Sequence, residues 1–161
     1  MFRIGQSQDI HRLEENGRPL VLAGLNIPYN KGPVSHSDGD VVFHAIGEAL
    51  LGALALGDLG TYFPDTDEKF KNIDSAFILI ECYNMVKAKG YIVQNIDVCV
   101  ICEKPKLKNY LISMRDNVAR ILNIDISQIS IKAQTNEKCG EIGKEMAIEA
   151  TCALLLKKIE L

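Results

Sequence analysis

The segment HSDGDVVFHAIGEALLGALALG, residues 36–57, decides the fold class because the chain changes period inside it. From Asp40 onward Val41, Ile46, Leu50, Leu51 and Leu54 recur at helical spacing until Gly57. Asp38 or Asp40 can cap the start of that helix, which puts His44 near its first turn. The residues before it, Pro28–Asp40, are rich in Gly, Pro, Ser and Asp and read as a loop. Further back the period is that of a strand. Arg3–Leu13 reads as extended, Glu14–Arg18 as a turn carrying the hairpin signal Asn16-Gly17, and Leu20–Ile27 as the returning strand.

Downstream, Asp58–Asp67 is a second Gly- and Asp-rich loop, and Ser75–Lys89 is a helix stopped by Gly90. Ile92–Cys102 reads as a strand, Lys106–Leu122 as a helix following Pro105, and Ile126–Ala133 as a strand. Gln134–Gly143 is a loop, and Met146–Leu156 fits a buried strand or a helix equally well. Strands mixed with helices in one small sheet give the class α+β, with residues 1–161 expected to form a single domain.

Composition narrows the function classes. The chain has 161 residues, 47% of them hydrophobic and 24% charged, and a net charge of −3. No basic stripe is present, so nucleic acid is not an expected partner, and an anionic substrate would need locally supplied positive charge. Apolar runs such as Ala49–Leu56 are too short to span a bilayer, so no membrane association is expected. Met1–Gln8 lacks the basic start and apolar stretch of a secretory signal, and no transit-type leader is visible; a cytoplasmic location is the expectation. Five scattered cysteines suit reduced thiols. Cys99 and Cys102 have the spacing of a zinc knuckle, but three residues apart on a strand they point to opposite faces.

All three histidines lie in two segments. In Asp9-Ile10-His11, a carboxylate and an imidazole point the same way along a strand, about 7 Å apart. Alone, that pair fits an ion pair or a metal half-site. His36 and His44 flank the start of the helix, where a histidine is packed, exposed or a ligand. One carboxylate and two imidazoles would leave a fourth tetrahedral position open, as in catalytic zinc sites. Other suggestive stretches fail on inspection. Gly140–Lys144 lacks the glycine gap and the Ser/Thr of a phosphate-binding P-loop, and the glycines at 52, 57 and 60 do not match a dinucleotide fingerprint. Lys104, Lys106 and Lys108 read as a solvated lysine-rich turn.

Taken together, the segments resemble the 2-C-methyl-D-erythritol 2,4-cyclodiphosphate synthase family of the non-mevalonate isoprenoid pathway. The likeness is carried by Asp9-Ile-His11-Arg12, His36-Ser-Asp-Gly-Asp-Val with His44-Ala45, Gly57-Asp-Leu-Gly60, Phe63-Pro-Asp-Thr-Asp67, Pro105-Lys106 and Lys132-Ala with Thr135-Asn-Glu137-Lys138, in order. It implies a phosphorus–oxygen lyase that cyclises a cytidine diphosphate derivative of methylerythritol 2-phosphate and releases CMP. It also implies a homotrimer of subunits with four-stranded mixed sheets backed by helices, and active sites between subunits. One Zn2+ per subunit would be held by Asp9, His11 and His44, and a second cation, Mg2+ or Mn2+, by Glu137. His36 and Thr135 would polarise phosphates. Substrate contacts would come from Asp9, Ile10 and His11, from His36 and Ser37, from Asp58, Leu59 and Gly60, and from Phe63, Pro64, Asp65, Thr66 and Asp67. Others would come from the cytosine-recognising turn Cys102, Glu103, Lys104, Pro105, Lys106, Leu107 and Lys108, and from Gln134, Thr135, Asn136 and Glu137 at the diphosphate. Glu141 and Lys144 stand where the family has an aromatic and an arginine near the trimer axis, which puts its isoprenoid-diphosphate cavity in question here. Two other functions share the same residues: a metal-dependent phosphohydrolase, and a non-catalytic zinc-stabilised trimer that binds ligands.

Overall fold

The structure, a computed structural model, describes residues 1–159. Four long strands carry the fold: β1 (Phe2–Glu14), β5 (Tyr91–Ile101), β6 (Ile129–Gln134) and β7 (Ala147–Lys158). They lie in the order β1-β7-β5-β6, with β7 antiparallel to both neighbours and β5 parallel to β6, so the sheet is mixed as expected. A two-residue strand, β4 (Gly32–Pro33), extends the sheet to five by pairing with Leu13 and Glu14 at the outer edge of β1. The stretch left open between strand and helix, Met146–Leu156, is strand from Ala147 onward and belongs to β7, flanked on both sides by other strands. Its apolar residues serve two faces, which is why its period was ambiguous.

One face of the sheet is packed under the helices α1 (Val41–Ala53), α3 (Ser75–Ala88) and α4 (Leu111–Leu122). The core runs through Ile46, Leu50, Leu79, Met114, Ile96, Val98, Ile148 and Leu156, all less than 2% exposed. On β1 the residues facing the helices are small. A Cβ on Gly5 would stand 2.0 Å from the carbonyl oxygen of Ala49, and the Ser7 hydroxyl donates to the carbonyl of Ala45 at 2.5 Å. Strand and helix therefore touch backbone to backbone, and Asp9, next on the same side of β1, is delivered to the first turns of α1. The opposite face is open: Ile4 is 76% exposed and Phe2, Ile10 and Ile92 stand out beside it.

The return strand expected over Leu20–Ile27 does not form as one piece. It folds into its own small hairpin, β2 (Leu20–Leu22) and β3 (Leu25–Ile27), about Ala23 and Gly24, both at positive φ (50° and 74°). Two positive φ values are what a tight two-residue hairpin demands, and Ala23 pays a steric cost for it. The Asp40 carboxylate compensates by accepting from the amides of Ala23 (3.0 Å) and Gly24 (2.7 Å). Of the two capping candidates, Asp40 is the N-cap of α1, accepting from Val42 at 3.0 Å and Phe43 at 3.2 Å. Helix α4 starts at Leu111 rather than Lys106, and Ile126–Gln128 is a 3-10 turn fixed by a capping box between Asp125 and Gln128 before β6 begins.

Candidate active site

Asp9, His11 and His44 converge. Asp9 Oδ2 lies 3.0 Å from His44 Nδ1 and 3.2 Å from His11 Nε2, and the two ring nitrogens are 3.3 Å apart. β1 supplies the first two ligands on one side of the strand and α1 supplies the third, across the contact at Gly5 and Ser7. The donor set fits a zinc-sized ion: with bonds of about 2.0–2.1 Å, a tetrahedron has edges of about 3.3 Å. Two imidazoles and a carboxylate also suit zinc better than magnesium or calcium.

Electrostatics tie the three together. Burial opposes ionisation of Asp9, but hydrogen bonds and charges of His11 and His44 outweigh it and hold the carboxyl well below the usual range. For His44 burial works against the proton, yet Asp9 prevails and raises its pKa.

The cluster opens into a pocket of about 520 Å3. Of the residues expected at the substrate, His36, Ser37, Leu59, Gly60, Phe63, Pro64 and Asp65 line it. His36 Nε2 lies 3.4 Å from the carbonyl of Asp67, while Asp67 itself caps the 3-10 turn Glu68–Phe70 and pairs with Lys69 at 3.0 Å. Thr66 and Asp67 are not among the lining residues. Asp58 caps α2 (Leu59–Tyr62) through the amide and hydroxyl of Thr61. Between Asp9 and His11 on a strand, the Ile10 side chain points the other way and stands 50% exposed on the open face.

The remaining expected residues form a second patch. Cys102 and Gln134 are joined by a backbone bond of 3.1 Å, Glu103 accepts from the amide of Lys138 at 3.3 Å, and Thr135 donates to Glu137 Oε1 at 2.6 Å. None of Cys102–Lys108 or Gln134–Glu137 lines the Asp9 pocket. They extend from β5 and β6, two and three strands away from β1, or about 10 to 15 Å. Lys104 and Glu145 pair at 3.3 Å, and Lys144 pairs with Glu141 at 3.0 Å.

Two residues beside the triad were not among the expected site residues. Glu48 lines the pocket one helical turn beyond His44 and accepts from the amide of Leu59 at 2.7 Å; burial raises its pKa. Its i+4 spacing from His44 was a usable signal. Ser75 at the start of α3 touches His44, and nothing local in the sequence announces that.

Known proteins share this sequence and this backbone. The profile described as the YgbB family matches residues 2–157. A 2-C-methyl-D-erythritol 2,4-cyclodiphosphate synthase of Fusobacterium nucleatum is 48% identical over 98% of both chains, and one of Acinetobacter baumannii 51% over 96% of both. Among solved structures, the bifunctional IspDF of Campylobacter jejuni superposes with a TM-score of 0.95 at 41% identity, over 99% of this chain and 43% of that longer one. The IspF–CDP complex of Plasmodium falciparum superposes at 0.87 and 38% identity, over 99% of this chain and 97% of that one. Identity of this level along nearly the whole length, on the same backbone, makes this chain a member of the YgbB family.

Proposed function

We propose that this chain is a lyase that cyclises 4-diphosphocytidyl-2-C-methyl-D-erythritol 2-phosphate to 2-C-methyl-D-erythritol 2,4-cyclodiphosphate, releasing CMP. The observation that carries the proposal is the convergence of Asp9, His11 and His44 on one side of a pocket, in a chain whose full-length relatives bear that name. The substrate supplies its own nucleophile. A phosphate monoester has a second pKa near 6, so at neutral pH its dianion attacks the β-phosphorus without a general base. The protein's tasks are to align two anions and to stabilise charge on the departing CMP.

Asp9, His11 and His44 would hold Zn2+, and Glu137 a Mg2+ or Mn2+ ion. Bound there, the cations offer phosphate oxygens an open coordination position and offset the substrate's negative charge. His36, at the pocket wall, donates to the methylerythritol phosphate, and Ser37 lies behind it. Leu59 and Gly60, held by Asp58 and Glu48, form the pocket's lip with Phe63, Pro64 and Asp65. Thr135 donates to the diphosphate, while the backbone of Cys102–Lys108 receives the cytosine.

Those last two groups sit apart from the Asp9 pocket in one subunit. Their separation supports a homotrimer with composite sites, in which one copy brings the metal triad and a neighbour brings the Cys102–Glu137 patch. The open sheet face around Ile4 offers the apolar surface such an assembly needs. Phosphorus NMR of the product tests the chemistry. A cyclic diphosphate and CMP are expected, and free inorganic phosphate would instead indicate a hydrolase.

A further inference from the structure

We infer that Ser75 is a positioning residue for the metal centre: anchored by Asp38, its hydroxyl receives the Nε2–H of His44 and holds the Nδ1 edge of that ring towards the metal. The inference rests on the zinc site proposed above. His44 turns Nδ1 towards Asp9 and His11, and its other ring nitrogen, Nε2, lies 2.8 Å from Ser75 Oγ. Ser75 is fully buried, and its hydroxyl makes a short hydrogen bond to Asp38 Oδ1. Asp38 is itself fixed, accepting from the amides of Ser75 at 3.0 Å and Asp40 at 3.1 Å.

Proton positions follow from the chemistry of the three groups. A carboxylate only accepts, so the Ser75 proton points at Asp38. The hydroxyl then presents only lone pairs to His44, and Nε2 must be the donor. With that proton fixed on Nε2, Nδ1 is the nitrogen left for the ion: in the metal-free protein it shares its proton with Asp9 at 3.0 Å, and metal binding would release that proton and expose the lone pair on the side where Asp9 and His11 converge. Ligating histidines commonly hand their second N–H to a carboxylate, and here a serine is interposed between the two. Ser37 Oγ also lies 3.1 Å from Nε2, but it is farther away and takes a further bond from the amide of Gly39. Ser75 is not needed to cap α3, because Asp74 does so through the amide of Ala76 at 2.8 Å. Its hydroxyl is free for His44.

The test measures zinc dissociation constants by competition with a chromophoric chelator, for the wild type, Ser75→Ala and Asp38→Asn. Melting temperatures of the metal-free proteins and proton NMR of the zinc-loaded forms accompany it. Ser75→Ala should bind zinc about 10- to 100-fold more weakly, the usual loss for such a partner. It should also lose the slowly exchanging Nε2 proton of His44, while its metal-free melting temperature stays close to that of the wild type. Asp38→Asn, which keeps an acceptor but removes the charge, should weaken zinc in the same direction; it carries the test should Ser75→Ala fold poorly. Unchanged zinc affinity in both variants overturns the inference and leaves the metal site standing. A wild type that binds no zinc overturns the metal site and this inference with it.

Discussion

Asp9 Oδ2 and His44 Nδ1, 35 residues apart in the chain, meet at 3.0 Å across the contact between β1 and α1. With His11 they should hold one zinc per subunit. His44→Ala is expected to carry no stoichiometric zinc by elemental analysis and to lose at least about a hundredfold in turnover. Its melting temperature should match that of the metal-free wild type. Chelation of the wild type should lower its melting point, since zinc at 1,000 times its Kd stabilises the native state by about 4 kcal/mol. Stoichiometric zinc in His44→Ala would disprove the ligand set.

Asp40 gives a pH dependence of defined sign. Burial and the neighbouring Asp38 charge push its pKa up to about 6, against the pull of backbone amides from Gly24, Phe43 and Ala23. An unfolded aspartate titrates near 3.9, so between about pH 4 and 6 the native state keeps a proton that the unfolded chain has lost. Stability from this group is therefore fullest below pH 4 and falls as pH rises towards 6. Asp40→Asn has no such group. In metal-free protein the stability of the wild type relative to Asp40→Asn should improve by up to about 3 kcal/mol between pH 7 and pH 4. Urea denaturation at both pH values measures it, and a flat difference would show that the amides hold Asp40 ionised throughout.

Ile4 stands 76% exposed on the open sheet face. If three copies of the 17.8 kDa chain pack there, the particle weighs about 53 kDa. Ile4→Glu should place like charges in the contact and give a monomer by light scattering. That monomer should still bind zinc, because all three ligands come from one chain, yet lose turnover for want of the neighbour's Cys102–Glu137 patch. A fully active monomer would refute the composite site.

Lys144 and Glu141 form an exposed ion pair at 3.0 Å. Lysine lacks the bidentate fork that suits phosphate oxygens, and glutamate removes apolar wall where the family has an aromatic. Farnesyl diphosphate should therefore give little or no saturable heat in calorimetry, without any loss of synthase activity. The double change Glu141→Phe and Lys144→Arg should raise affinity. Tight binding of one ligand per trimer by the wild type would show that lysines suffice.

Much of the site was legible because it follows local rules. Strand alternation places Asp9 and His11 together, and the cap at Asp40 sets His44 one turn into α1. What stayed hidden depends on tertiary contact. Leu20–Ile27 reads as one strand because its apolar run gives no sign that Asp40 will stabilise a turn at Ala23-Gly24. Ser75 meets His44 only because α3 packs beside α1, an arrangement without a local pattern. Alternation also turns the Ile10 side chain away from Asp9 and His11, which leaves its backbone as the part that faces a ligand there.

The contact of Gly5 with Ala49 bears on how the centre acquires its ion. No Cβ intervenes there, so the distance from β1 to α1 is fixed by backbone atoms in direct touch. Backbone contact at this point would keep the ligands carried by β1 and α1 at a set spacing, so that metal loading should cost dehydration of the ion and loss of the His44 proton rather than a rearrangement of the two elements. The centre would then act as a socket: zinc should leave and return at neutral pH without unfolding the sheet. A methyl group at Gly5 would spread the socket from its far end.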